Sequence, residues 1–244
     1  FPFLTIYTRK KYNSHMDIIQ QLRKETNKEL PLTDRIYEEL LRDILTGKLA
    51  RDSWLTETKV CSMYGASRTP VREAFRRLEM DGLLEYIPKR GEYVRGFSYD
   101  ELIDMLNIRA DLEVRAVSWS IERITDDEME QFDDIFRYME FYTKKNDIHM
   151  MMYANSAFHR HIYMTSHDRM LDKTLTTYFN YCKYSCPPNY FAPKFLDKTL
   201  EERRRIYSAY LKKDVTSGAR AMKLHMSSTI KRAIANINLN IYEK

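Results

Sequence analysis

The sequence predicts a mainly α protein in two parts: an N-terminal winged helix-turn-helix and a C-terminal all-α antiparallel helical bundle. Three observations carry this expectation. The stretch Ser67-Arg-Thr-Pro-Val-Arg-Glu-Ala-Phe-Arg-Arg-Leu-Glu-Met-Asp-Gly-Leu-Leu84 reads as a helix with an abrupt start and a cationic face, and Lys89-Arg-Gly-Glu-Tyr-Val94 completes a short ribbon behind it. Beyond Gly96 the chain holds one glycine, Gly218, and no alternating apolar pattern. Six periodic segments of helical length with short connections fill that second part, which is the pattern of a bundle.

Residues 1–30 read as an N-terminal arm, either mobile or a short helix. Ser14-His15-Met16 resembles the tail of an expression tag with a natural start at Met16, so residues 1–15 are left out of the fold reading. Thr33-Asp34 starts the first helix, with Ile36, Leu40, Leu41, Ile44 and Leu45 as its apolar stripe and Gly47 as its stop. Thr56 begins a short helix over Glu57 to Tyr64, and Gly65-Ala66 makes the turn, so the helix-turn-helix runs from about 56 to 81. Ser67 or Thr69 caps the next helix, and Pro70 suits its first turn, where a missing N–H costs nothing. Val71, Ala74, Phe75 and Leu78 fall at i, i+3, i+4 and i+7 and form a buried stripe. Arg68, Arg72 and Arg76 step by four along a different face. Asp81-Gly82 ends the helix, and Leu83 to Ile87 and Glu92 to Val94 read as strands around a Pro-Lys-Arg-Gly turn. The winged part thus covers residues 31–96, and Gly96-Phe97 is the hinge into residues 97–244.

In the second part Ser98 caps a helix that lasts to about Arg123, with Leu102, Met105, Leu106, Arg109, Leu112 and Glu113 in phase. Thr125-Asp-Asp-Glu128 is a capping box for the next, to about Lys145. Others run from about Asp147 to Ser166, Asp168 to Tyr184, 195 to 212 and Asp214 to Asn238. Pro187, Pro188 and Pro193 interrupt between the fourth and fifth.

A chain of 244 residues is long enough for two domains, and its 43% hydrophobic and 13% aromatic content argues against general disorder. No apolar run approaches the roughly 20 residues of a membrane span. The Phe1 to Ile6 run lacks the flanks of a signal peptide. Three cysteines, Cys61, Cys182 and Cys186, make no disulfide framework, and a cytoplasmic protein is expected. Cys182 and Cys186 are better read as buried or half-buried thiols than as metal ligands. Charge is uneven: residues 1–95 hold 18 Lys/Arg against 14 Asp/Glu, while residues 96–244 hold 22 against 21. Only the first part has the balance of a module that meets a polyanion, and its margin is small enough that a specific docking surface must carry recognition.

A cationic helix that starts sharply after a helix and a turn is the form of a major-groove reader. Arg forks bidentately onto guanine O6 and N7, while hydroxyls and N–H groups at a helix start grip phosphate. Arg68 and Arg72 are therefore the candidate base readers, with Ser67 and Thr69 on phosphate. Thr58 and Lys59, opening the preceding helix, are further phosphate candidates. Arg76 and Arg77 lie further down and pair as readily with Glu73 or Glu79.

The string Tyr37-x2-Leu40…Ile44-x2-Gly47…Leu55-Thr-Glu-x-Lys-Val60…Tyr64-Gly-Ala-Ser-Arg-Thr-Pro-Val-Arg-Glu-Ala74…Leu78-x3-Gly82…Arg90-Gly91-x2-Val94 resembles the winged helix-turn-helix of the GntR family of bacterial repressors over about residues 33 to 95. The resemblance implies DNA contacts by Arg68 and Arg72. It also places Arg90-Gly91 at the wing tip, where Gly lets the backbone approach the minor groove and Arg enters it. The second half resembles the ligand domain of the family's FadR/FCD branch, so the bundle is expected to be FCD-like and to carry the dimer contacts. One module makes few contacts, so a symmetric homodimer on a palindromic DNA operator is expected.

In that branch the bundle often holds a divalent metal through an Asp and three His. Here Asn155-Ser-Ala-Phe-His159 fits the first pair with Asn in the Asp position, Glu202-Arg203 puts Arg where His is expected, and Met222-Lys-Leu-His225 fits the last. Asn is a neutral donor, and Arg stays protonated and repels a dication. No cofactor and no tightly held metal are expected; a residual divalent-metal site would rest on His159 and His225. Arg203 instead offers a fixed positive charge for a small organic acid, with Asn155, His159 and His225 as hydrogen-bonding walls and Arg109 as a second anion contact. The alternative for Arg203 is a solvent-facing side chain beside Arg204 and Arg205. Tyr153, Tyr163, Tyr178, Tyr181, Tyr207 and Tyr210 read as core and rim packing.

The expected function is a ligand-responsive transcription regulator, with repression the commoner sign in the resembled family. A metal hydrolase is the rival from another class, disfavoured by the broken ligand set and the lack of a nucleophile-base motif. An effectorless DNA-binding dimer is the other rival.

Overall fold

The computed structural model describes residues 31–185 and 196–236, which fall into two compact units divided, within that range, between Leu102 and Ile103. The expected arm at 1–30, the interruption at Pro187, Pro188 and Pro193, and Cys186 lie outside the described residues.

In the first unit, helix α1 spans Leu32–Leu45 and buries Ile36, Leu40, Leu41, Ile44 and Leu45, the expected stripe. Asp43 is buried on the same helix, where its carboxylate meets Lys48 Nζ at 2.7 Å. Helix α2 spans Glu57–Tyr64; Thr56 caps it by accepting from Lys59 N at 3.3 Å, and Gly65 closes it with φ 59°. Helix α3 spans Arg68–Met80 and buries Val71, Ala74, Phe75 and Leu78. Ser67 stands at its N-cap in extended conformation, but its side chain makes no capping hydrogen bond, contrary to expectation.

Strands β2 (Leu84–Ile87) and β3 (Gly91–Val94) pair antiparallel, with Leu84 opposite Val94 and Tyr86 opposite Glu92. A third strand, β1 (Trp54–Leu55), pairs with the other edge of β3, giving the order β1-β3-β2. The sequence did not announce β1, because two residues show no alternation. Its anchors are plain in three dimensions: Leu55 is fully buried and the Trp54 ring lies 5.2 Å from that of Tyr93.

Helix α4 (Tyr99–Arg123), whose first four residues belong to the first unit, α5 (Asp126–Lys144), α6 (Ile148–Thr165), α7 (Arg169–Ser185), α8 (Leu196–Leu211) and α9 (Val215–Asn236) form the bundle. The capping box of α5 is present in full, with Thr125 and Glu128 bonding each other's backbone. Asp147 caps α6 through Met150 N at 3.0 Å, and Asp168 caps α7 through Leu171 N at 2.7 Å. Three turns adopt left-handed backbone at Asn146, His167 and Lys213 rather than at glycine. Packing of the flanking helices must hold these residues there, since that conformation disfavours side chains. The single glycine has a different use: a Cβ on Gly218 would come within 2.3 Å of Ile121 Cδ1, so α9 starts hard against α4.

Phe132 is the hub of the bundle core. Its ring lies 4.9 Å from Phe158, 5.1 Å from His161, 5.8 Å from Tyr207 and 4.6 Å from Tyr210, joining α5, α6 and α8. Tyr210 continues inward as a polar thread, donating to Ser120 Oγ at 2.7 Å, and Ser120 meets Thr165 Oγ1 at 2.6 Å. Truncating Phe132 to alanine removes the shared contact of three helices. Phe132→Ala should cost about 3–5 kcal/mol of stability in denaturant unfolding followed by Trp119 fluorescence; a cost below about 1 kcal/mol would mean that the core closes without its hub.

Candidate DNA interface and effector site

The turn between α2 and α3 brings one exposed surface together. Ser67, Arg68, Thr69 and Arg72 are exposed at the start of α3, and Thr58 and Lys59 are exposed in the first turn of α2. Arg72 Nε donates to Glu57 Oε1 at 2.6 Å, and this bond holds the Glu57 carboxyl below its usual range. That bond uses Nε, and a guanidinium carries further donors on its two Nη groups. Glu57 was not anticipated, though its place directly after the Thr56 cap puts it beside the next helix.

Arg76 is exposed, but Arg77 leaves this surface. Its guanidinium lies 3.9 Å over the Tyr37 ring and donates to Asp34 Oδ1 at 2.6 Å, both on α1. The expected pairing of Arg77 with Glu73 or Glu79 is thus replaced by a tie to another helix, because α1 packs along α3 and offers a closer carboxylate. Glu79 accepts instead from Tyr86 N at 3.0 Å. Tyr37 also donates to Asp81 Oδ2 at 2.5 Å, just past the end of α3.

Arg90 is exposed in the β2–β3 turn, 5.7 Å over the Trp54 ring. Gly91 has φ 101°, and a Cβ there would lie 2.6 Å from Leu55 O. Beyond the close approach to DNA that the resemblance implies, glycine is demanded by the passage of β1.

In the bundle, Asn155 and His159 on α6, Arg203 on α8 and His225 on α9 are all buried. The solvent-facing alternative for Arg203 does not hold: it is 3% exposed, while Arg204 reaches out to Glu140 at 2.7 Å. Arg203 donates to Thr199 O at 3.0 Å and to Asn155 Oδ1, both neutral oxygens. His159 and His225 have ring centroids 5.4 Å apart. Each is held from behind by a carboxylate, His159 Nδ1 by Glu113 Oε2 at 3.0 Å and His225 Nδ1 by Glu202 Oε2 at 2.9 Å.

Arg109 is close by but otherwise engaged. It donates to Glu113 Oε1 at 2.9 and 3.2 Å, one helical turn away, and lies 4.8 Å over Phe179. Arg109, expected as a second anion contact, is here the partner of an internal carboxylate. Tyr163 also donates to Glu113, and Arg232 forks onto both oxygens of Glu202 at 3.1 Å. Glu113, Glu202 and Arg232 were missed as site residues. The Arg109–Glu113 spacing of four inside an apolar stripe was the signal for the first.

Electrostatics fix the protonation of this cluster. Burial alone would raise both carboxyls, but His159 and Arg109 hold Glu113 well below its usual range, and bonds from His225 and Arg232 bring Glu202 down to about 2. Burial, reinforced by Arg203, drives His225 down to about 3, and His159 is lowered by burial as well. Both imidazoles are thus neutral at pH 7. With a carboxylate on each Nδ1, that atom carries the hydrogen and Nε2 is the acceptor. Among the described residues no group of three His, Cys, Asp or Glu is arranged to hold a metal.

A winged helix-turn-helix followed by an all-helical bundle defines a DNA-binding transcription regulator. Residues 32–94 match the model of bacterial regulatory proteins of the gntR family, and residues 104–228 match that of the FCD domain. The chain belongs to the GntR family and carries its FCD domain. It is 27% identical over 206 residues to the uncharacterized HTH-type transcriptional regulator YdhC of Bacillus subtilis, covering 82% of this chain and 90% of that one. It is 25% identical over 205 residues to the HTH-type transcriptional repressor RspR of Escherichia coli, covering 83% and 89%. Among solved structures, E. coli McbR/YncC shares the fold with a TM-score of 0.67 and 22% identity, over 84% of this chain and 98% of that one. The family and these relatives are transcription regulators, not enzymes. No described helix is long and apolar enough to cross a membrane.

The lowered histidine and carboxyl values fix the sign of a pH effect. Between about 6.5 and 3 the unfolded chain protonates His225 and the folded chain does not, so stability falls as pH drops; Glu202 extends the loss below 4.5. With Trp54→Phe leaving Trp119 as the bundle reporter, the bundle should melt at lower temperature at pH 5 than at pH 7. A transition indifferent to pH in that range would show that these imidazoles are not buried neutral.

Proposed function

We propose that the protein is a homodimeric, cytoplasmic repressor that grips a palindromic operator through the two winged units and senses a small organic acid in the helical bundle. The observation that carries the effector reading is the buried guanidinium of Arg203 beside Asn155 and two neutral imidazoles. A planar, permanently charged fork suits a carboxylate, and His159 Nε2 suits a hydroxyl or amide donor next to it, while His225 Nε2 lies 3.5 Å from Thr229 Oγ1. Arg109 has no direct part, because Glu113 engages it. Repression is supported by the relative named as a repressor, RspR. Ligand binding changes operator affinity only to the extent that it favours one arrangement of the dimer over another.

The exposed start of α3 supports Arg68 and Arg72 as base readers, with Ser67, Thr69, Thr58 and Lys59 on phosphate and Arg90 and Gly91 at the minor groove. Glu57 steadies Arg72 for that contact.

A second reading has one observation in its favour. Two imidazoles backed by carboxylates through Nδ1 are oriented as metal-bound histidines usually are. In this reading a divalent metal sits on His159 and His225 with water, against the charge of Arg203.

A thermal-shift screen of small carboxylic acids, phosphorylated sugars and divalent metals decides between the two. An acid that raises the melting temperature of the wild type and not of Arg203→Ala supports the anion site. Stabilisation by zinc or nickel, reversed by a chelator, supports the metal instead. For the interface, Arg72→Ala should weaken operator binding by about 1–3 kcal/mol and leave binding to random DNA nearly unchanged; equal losses would place Arg72 on phosphate.

A further inference from the structure

The winged unit contains a buried acid that DNA recognition by the family does not call for. Glu92 lies on β3 with its side chain on the inner face, 7% exposed, two residues before the fully buried Val94. Across the sheet it faces Tyr86 on β2 and Leu55 on β1. Its Oε2 is buried and has no hydrogen-bond partner among the described residues. The carboxylates of Glu79 on α3 and Glu57 on α2 bear on it electrostatically, and Glu57 is the residue that anchors Arg72. Glu79 is already bonded to Tyr86 N, and Glu57 to Arg72 Nε. An ionised Glu92 is therefore desolvated, short of a hydrogen bond and repelled by two carboxylates.

Each of these conditions favours the protonated acid. Burial first, then the two carboxylates, push the Glu92 carboxyl up to about 7. Residues 31–102 contain no histidine, so no imidazole of this unit titrates beside it.

We propose that Glu92 is a proton-binding site of the winged unit that fills when the unit engages DNA, so that DNA affinity falls as pH rises through neutrality. Two effects couple proton and DNA. The phosphates add negative potential at a carboxyl already poised to take a proton. As Arg72 shifts its charge from Glu57 toward DNA, the Glu57 carboxylate bears more fully on Glu92. Linkage is reciprocal: if DNA raises the affinity of Glu92 for a proton, the proton raises the affinity for DNA by the same factor. Only the second effect rests on the proposed role of Arg72.

Fluorescence anisotropy with a short random-sequence duplex at constant ionic strength tests this on the full chain. From about pH 6 to about pH 8 the wild type should lose affinity on the order of three- to tenfold more than Glu92→Gln, the ceiling being tenfold per pH unit for each winged unit. Identical slopes for the two proteins would overturn the proposal. Carboxyl-carbon NMR of the wild type, which needs no variant to fold, should show Glu92 titrating near neutrality and higher with the duplex bound. A midpoint in the ordinary carboxyl range, or one unmoved by DNA, would overturn it equally. Arg72→Ala separates this from the base-reading role: it should weaken operator binding while Glu92 still titrates near neutrality.

Discussion

A carboxylate with no exposed surface must have its oxygens met from within, and the bundle is organised by this demand at Glu113. Arg109, His159 and Tyr163 all converge on it from α4 and α6. Leaving such a group without its partners costs about 3–5 kcal/mol, so the neighbours are fixed as firmly as the apolar core around them. The orientation of His159 follows from Glu113, and that of His225 from Glu202, which Arg232 holds in turn. The candidate effector site is thus a lattice of paired groups in which His159, His225 and Arg203 lie together behind carboxylate and amide partners.

The winged unit solves a different problem, that of keeping a short reading helix in place. Arg77 and Asp34, Tyr37 and Asp81 join α3 to α1 at both the stacking and the hydrogen-bonding level. The cationic residues near the start of α3 stay exposed, while a cation near its end is drawn into the packing. Sequence spacing sets Arg76, but not Arg77, in the row of Arg68 and Arg72. The neighbouring helix separates them further.

Much of the architecture was legible in the chain. The stripe Val71, Ala74, Phe75 and Leu78, the Thr56 cap, the Gly65 turn and the Thr125 capping box are local signals, and they formed where the pattern put them. What stayed hidden depends on partners far away in sequence. Strand β1 exists because Trp54 and Leu55 find β3, and the left-handed ends at Asn146, His167 and Lys213 exist because the helices on either side hold them. The candidate site was legible through its histidines and the Asn and Arg in ligand positions. Of the carboxylates behind them, Glu113 was signalled only by its place four residues from Arg109 in an apolar stripe, and Glu202 looks like an ordinary helical acid until the fold shows that it touches His225.

The burial of Arg203 has a consequence for how the cell can influence this molecule. A charge carried by a side chain is made on the ribosome with every copy. It is neither acquired from a pool of ions nor surrendered to a competitor, and scarcity or excess of transition metals leaves it unchanged. On the proposed anion-sensing reading, the set point of such a regulator is fixed by its gene. One that must first load an ion shares its set point with the cell's metal supply.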